Sequence, residues 1–154
     1  MRRKTMYWGA MITSAMVISI HYRLTSAEFS IFLYLCEEAD AEYNIASLRQ
    51  VDILENLTTH YNWDISKSTV SKSINALMKS TFITKANDRV GFMINPNVFY
   101  YGGRKSWRQK AHNFNRYLNE NGQQEEFYLD EDEKAIIKRG DRDFEENFHS
   151  FDIN

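Results

Sequence analysis

The chain has 154 residues, 43% of them apolar and 14% aromatic, enough for one domain with a substantial core plus tails. Its one cysteine, Cys36, excludes a disulfide framework and any zinc knuckle or Cys-x-x-Cys centre. The net charge of −2 conceals a division: residues 67–116 carry ten Lys/Arg against one acid, Asp88, whereas residues 117–154 carry twelve Asp/Glu against four basic residues. Partners must therefore be read from the charge blocks and not from the overall balance.

Arg2-Arg3-Lys4 precedes a mostly apolar run over residues 6–20, which superficially resembles a secretory leader. No small-x-small cleavage pattern follows before His21-Tyr22-Arg23, and the run is too short to span a bilayer. Residues 1–22 are expected to supply a basic arm and the first apolar element of the domain, helix or strand being undecided. The expected setting is the cytoplasm, with no membrane partner.

Thr25 or Ser26 caps the next helix, with Glu28 in its first turn. From Phe29 to Cys36 almost every residue is apolar, which predicts a central, buried helix ending near Asp40. Cys36 falls inside it as a small hydrophobe. A polar connector follows, with a short strand expected near residues 43–46, and Ser47 is expected to cap a helix whose inner side is Leu48, Val51, Leu54 and Leu57. Residues 58–64 (TTHYNWD) form a link longer than a tight helix-turn-helix turn. Tyr61 and Trp63 within it either pack on the domain or stand as exposed contacts.

Ser66 is a good N-cap for the helix that follows. Val70, Ile74, Leu77 and Met78 form one apolar stripe at about 100° per residue. The opposite face shows Ser68, Lys72, Asn75 and Lys79, flanked by Thr69, and the helix carries no acid. A solvated helix usually mixes both signs; one presenting only donors and positive charge suits a polyanion whose base edges offer acceptors. Residues 81–86 are rich in β-formers, Asn87-Asp88-Arg89 is turn chemistry, and residues 90–95 form a second apolar run that Pro96 ends. A helix feeding a short ribbon is the order of a winged helix-turn-helix, and Lys85 and Arg89 stand near the wing tip.

Beyond the wing, Trp107, Ala111, Phe114 and Leu118 give an amphipathic helix over residues 104–122 a clean stripe, with Gly122 as its C′ residue. That stripe must be buried, either against the domain or against a second copy of the chain. In the acidic tail, Asp130 and Glu133 fit a capping box for a short helix through Ile136 and Ile137. Phe144, Phe148 and Phe151 lie among acids beyond it, either as a solvating tail or as a peptide that docks on a partner or on the cationic block.

No His-x-His pair, no His-Glu-x-x-His motif and no triphosphate loop is present, and His21, His60, His112 and His149 are far apart in sequence. Gly102-Gly103-Arg104-Lys105 reads as a flexible turn. The chain is not expected to be an enzyme, and no catalytic residue, cofactor or metal site is expected.

STVSKSINALMKSTFI (residues 68–83) followed by GFMINPNVF (residues 91–99) resembles the RepL-type replication proteins of Gram-positive plasmids. That family has a Ser/Thr-rich recognition helix, a second wing strand ending Met-Ile-Asn-Pro and an aromatic-plus-glycine ending, here Phe99 with Gly102-Gly103. LTSAEFSIFLYL (residues 24–35) is similar to its first core helix, so the likeness covers roughly residues 22–105. The resemblance implies a winged-helix protein of plasmid replication or maintenance.

The expected fold is mainly α with a small β-hairpin, a winged helix-turn-helix at residues 23–103 between the N-terminal arm (1–22) and the added helix (104–122), with the acidic tail at 123–154. Ser68, Thr69, Lys72 and Asn75 are the candidates for DNA base edges. Lys67, Lys79, Lys85, Arg89, Arg104, Lys105 and Arg108 are the candidates for DNA phosphates. Double-stranded DNA is the expected partner, with host replication proteins and a homodimer through Trp107, Ala111, Phe114 and Leu118 as further expectations. The alternatives are a transcriptional repressor of the same fold and a protein-docking module anchored by Trp63, Trp107 and the tail aromatics.

Overall fold

The computed structural model describes residues 23–101 and 104–124, and the backbone of residues 9–11, 127–129 and 135–137; at Arg104 and Lys105 it describes the backbone alone. The arm residues before Gly9, the aromatic tail beyond residue 137 and the Gly102-Gly103 turn lie outside the described residues.

Helix α1 (Ser26–Glu38) starts in a capping box: Glu28 N donates to Thr25 Oγ1 at 3.1 Å and Thr25 N donates to Glu28 Oε2 at 2.8 Å. Ile31, Phe32, Tyr34, Leu35 and Cys36 are buried, and burial pushes the Cys36 thiol pKa up. Leu33 faces outward, so α1 is apolar on one broad face and not all round.

Strand β1 (Gly9–Met11) settles the character of part of the first apolar run: it pairs antiparallel with a later strand, Gly9 opposite Tyr101. Strand β2 (Ile45–Ala46) follows Asn44, whose φ is +62°, a conformation that asparagine tolerates. The Asn44 side chain is buried and its Nδ2 donates to the carbonyls of Ile94 (3.0 Å) and Phe99 (2.9 Å).

Helix α2 (Gln50–His60) is capped by Arg49, not Ser47. Asp52 accepts from Arg49 N at 2.9 Å and pairs with its guanidinium at 3.1 Å, a reciprocal closure in which a salt bridge stands in for the hydroxyl. Its buried side is Ile53 and Leu57, while Val51 is 57% exposed. Of the expected row, Leu57 is buried and Leu48 and Leu54 pack partly buried on the main core. Val51 falls off the face, because steps of three residues turn through about 300° and drift, and Ile53, four residues before Leu57, takes the inner place.

Helix α3 (Lys67–Lys79) carries Val70, Ser73, Ile74 and Leu77 inward and contacts both α1 and α2. A turn through Thr81 (φ +56°) leads to Phe82, whose ring meets Phe32 edge-on at 5.3 Å. Strands β3 (Ile83–Lys85) and β4 (Phe92–Ile94) pair antiparallel, and β2 adds on the far edge of β4, giving the order β2-β4-β3. Gly91 is required where β4 begins: its φ is +125°, and a Cβ there would sit 2.1 Å from the Ala46 carbonyl oxygen.

Asn95 then fastens the end of β4. Its Nδ2 donates to Thr81 O at 2.7 Å, and its Oδ1 accepts from Asn97 N at 2.9 Å. Strand β5 (Phe99–Tyr101) turns away to pair with β1, and helix α4 (Arg104–Glu120) follows.

The small sheet divides two cores by the alternation of its strands. Ala46, Ile83, Phe92 and Ile94 join the main core with α1, α2 and α3. Ile45 and Met93 point the other way and meet Phe114, Tyr117 and Leu118 of α4. The chain is therefore mainly α, with three helices on one side of a three-stranded sheet and one on the other.

The stripe Trp107, Ala111, Phe114 and Leu118 packs on the chain's own sheet: Phe114 and Leu118 are buried there, and Trp107 Nε1 donates to Pro96 O at 3.0 Å. Phe114, Leu118 and the Trp107 indole nitrogen are thus engaged within the chain, the first of the two alternatives for the stripe, while Trp107 and Ala111 remain half-exposed. The short helix expected after Asp130 is instead a hairpin, β6 (Phe127–Leu129) against β7 (Ala135–Ile137). Two aromatic and β-branched triplets favour a pleated pair over a helix with only two adjacent isoleucines to bury.

Candidate nucleic-acid interface

The site is built on α3. Ser66 accepts from Thr69 N at 3.1 Å and fixes where the helix starts. With that register set, Ser68, Lys72, Asn75 and Lys79 are all exposed, at steps of four, three and four residues, and Lys67 is exposed beside them. Among the described residues none of these four side chains takes a hydrogen-bond or ion-pair partner. From Ser68 to Lys79 the row is about 16 Å long, comparable to the length of helix that a major groove accommodates.

Thr69 differs from the other candidates. It is half-buried and its hydroxyl lies 2.8 Å from Ser66 Oγ, so it helps to hold the cap.

The hairpin turn between β3 and β4 projects Asn87, Asp88, Arg89 and Val90, all exposed, with Lys85 exposed at the end of β3. The turn is tied to α4. Tyr117 donates its hydroxyl to Asp88, Arg116 approaches the same carboxylate at 3.4 Å, and Arg89 at 3.6 Å. The Tyr117 hydrogen bond foremost, with the arginines, holds the Asp88 carboxyl below the usual carboxylate range. Arg89 also lies over the Tyr43 ring, 4.3 Å from its centre, so its guanidinium is steadied by a cation–π contact.

Amide side chains fix the rest of the wing. Asn121 Nδ2 donates to Lys85 O at 3.0 Å and to Thr84 Oγ1 at 3.1 Å, and Thr84 Oγ1 donates to Gln123 Oε1 at 3.0 Å. Gln123 Nε2 in turn reaches Met78 O, near the end of α3, at 3.3 Å. The wing and the C-terminal end of α3 are thereby joined through the chain that leaves α4. Sequence reasoning missed this clasp, because Asp88, Thr84, Asn121 and Gln123 are ordinary surface residue types whose pairing depends on the fold.

Arg108 is exposed, but it stands on α4, across the sheet from α3. The phosphate candidates therefore fall into two groups: Lys67, Lys79, Lys85 and Arg89 near α3 and the wing, and Arg104, Lys105 and Arg108 at the start of α4. Lys110, one turn on, is buried, and its ammonium donates to Ala41 O at 2.8 Å and to Tyr101 O. Burial lowers its pKa, with Asp40 opposing.

Among the described residues no helix is long and apolar enough to cross a membrane. No curated relative and no solved structure matches the chain. The family model described as Firmicute plasmid replication protein (RepL) matches residues 48–142. That range leaves out α1, which the sequence likeness had included, and takes in the β6–β7 hairpin, which it had not. With α2, α3, the wing, α4 and the C-terminal hairpin all inside the match, the chain belongs to the RepL family of plasmid replication proteins.

Proposed function

We propose that this protein acts in plasmid replication as a winged-helix, sequence-specific binder of double-stranded DNA that marks an origin for host replication proteins in the cytoplasm. It acts by binding and not by catalysis. The observation that carries the reading is the outward face of α3. Ser68, Lys72 and Asn75 offer unpartnered donors at one helical register, and no acid is present on the helix to repel a phosphate backbone. Lys67, Lys79, Lys85 and Arg89 supply the phosphate contacts around it. Thr69, half-buried with its hydroxyl against Ser66, supports the start of the helix through its cap contact.

Two of the anchors of the docking-module alternative are engaged within the chain, and its tail aromatics lie outside the described residues. Trp63 packs on the main core and Trp107 is hydrogen-bonded to Pro96 O. A repressor would use the same face, so the position of the site separates origin from promoter.

The test is protection of fragments of the protein's own replicon, with excess random duplex, at two salt concentrations. A discrete protected site that survives competitor is expected. With about five phosphates neutralised, log K should fall against log salt with a slope of about −4 to −5. Weak binding everywhere, erased by salt, would overturn the reading.

A further inference from the structure

The outward face of α4 repeats the spacing of the α3 face, with one permanent cation where α3 has two. Arg108, His112, Asn115 and Asn119 fall at steps of four, three and four residues, and all four are exposed. Gln109 is exposed beside them. Between Asp88 and Glu120 the sequence has no acid at all, and the first two residues of α4 are Arg104 and Lys105. Among the described residues none of the four side chains has an ion-pair partner. At the C-terminal end, by contrast, Arg116 is taken up by Asp88 (3.4 Å) and Glu120 (3.5 Å). Arg108 is an exposed arginine of α4 with no acid beside it among the described residues.

This face is not an extension of the first. The three-stranded sheet separates α4 from α1, α2 and α3. Among the described residues a hydrogen bond joins the two helices where Gln123, just past α4, meets Met78 O at the end of α3. From Glu120 back to Arg108 the helix runs about 18 Å away from that junction.

We propose that the Arg108–His112–Asn115–Asn119 face is a second DNA-binding surface, which holds the phosphate backbone of a second duplex segment while α3 holds its site. The inference rests on the reading of α3 as the site-specific surface. The residue types select the ligand. One arginine with imidazole and amide donors beside it, and no acid among the four, suits phosphate and sugar oxygens. The aromatics of α4 are turned inward, Phe114 and Tyr117 being buried and Trp107 half-buried, so this face has no stacking platform for a single strand. The protein would then bring two stretches of duplex together at the origin.

The test uses the full chain bound to its protected fragment on beads, washed, and offered a short labelled random duplex at low salt. The variant is His112→Glu with Asn115→Asp. Glu at 112 lies four residues from both Arg108 and Arg116 and so neutralises the face without touching the core. Capture of the labelled duplex by the wild type is expected, and the variant should lose it by roughly tenfold while protecting the specific site as before. Equal capture by variant and wild type would overturn the proposal, as would capture no greater than that of beads carrying DNA alone. A loss of capture that accompanies a loss of self-association in light scattering would also overturn it, in favour of a protein interface. Failure of the α3 reading looks different, because the wild type would then protect no discrete site in the first place.

Discussion

Tyr117, buried on α4, donates its hydroxyl to the carboxylate of Asp88 at the tip of the wing. The contact crosses from the second core to the hairpin turn and gives the wing a fixed position relative to the sheet. A free hairpin of three-residue strands would have little reason to hold one position.

The clasp has a pH limit. The Asp88 carboxyl is held low, chiefly by Tyr117 and also by Arg116, so its contribution is present above the ordinary carboxylate pKa and is lost as pH falls through the folded value. Tyr117 is shifted up, by burial first and by Asp88 second, so the phenol stays protonated past its ordinary range. Amide hydrogen exchange at residues 87–90 should be slow at neutral pH, relative to intrinsic rates, and should lose that protection only as pH falls below the ordinary carboxylate range. Tyr117→Phe should remove the protection at neutral pH and let Asp88 titrate closer to its ordinary value. Unchanged protection in Tyr117→Phe would show that the clasp does not hold the wing.

Gly91→Ala tests the packing of β2 on β4. The added methyl meets the Ala46 carbonyl at 2.1 Å, and the φ of +125° is closed to alanine. A destabilisation of at least about 3 kcal/mol is expected in denaturant melts. A loss below about 1 kcal/mol would mean that β2 is free to move aside.

Asn95→Ala should cost about 2–4 kcal/mol, because Thr81 O and Asn97 N would both be left buried without the partner that Asn95 gives them. Thermal melts read this directly. Asn95→Asp should fail as well, since a carboxylate cannot donate to Thr81 O.

Much of the fold was legible because local rules and tertiary packing agreed. Ser66, Thr25 with Glu28, and the Val70–Ile74–Leu77 stripe stand where capping and helical periodicity place them. At α2 periodicity placed Leu57 and, partly, Leu48 and Leu54, and erred at one position, where Ile53 and not Val51 is buried. It also missed Lys110, whose ammonium finds two backbone carbonyls that no sequence pattern announces. The outward face of α3 was readable from composition alone. The separation of the α4 cations from it was not, because that depends on which strand residues point to which side of the sheet.

The central claim is that α3 reads base edges with Asn75 and holds phosphates with Lys79. The most direct measurement compares Asn75→Ala and Lys79→Ala for affinity toward the protected site and toward random duplex at one salt concentration. Asn75→Ala should lose about 1–3 kcal/mol on the site and almost nothing on random duplex. Lys79→Ala should weaken both about equally and lower the salt slope by about one. If the two variants behave alike on both duplexes, α3 does not read sequence in the way its exposed face implies.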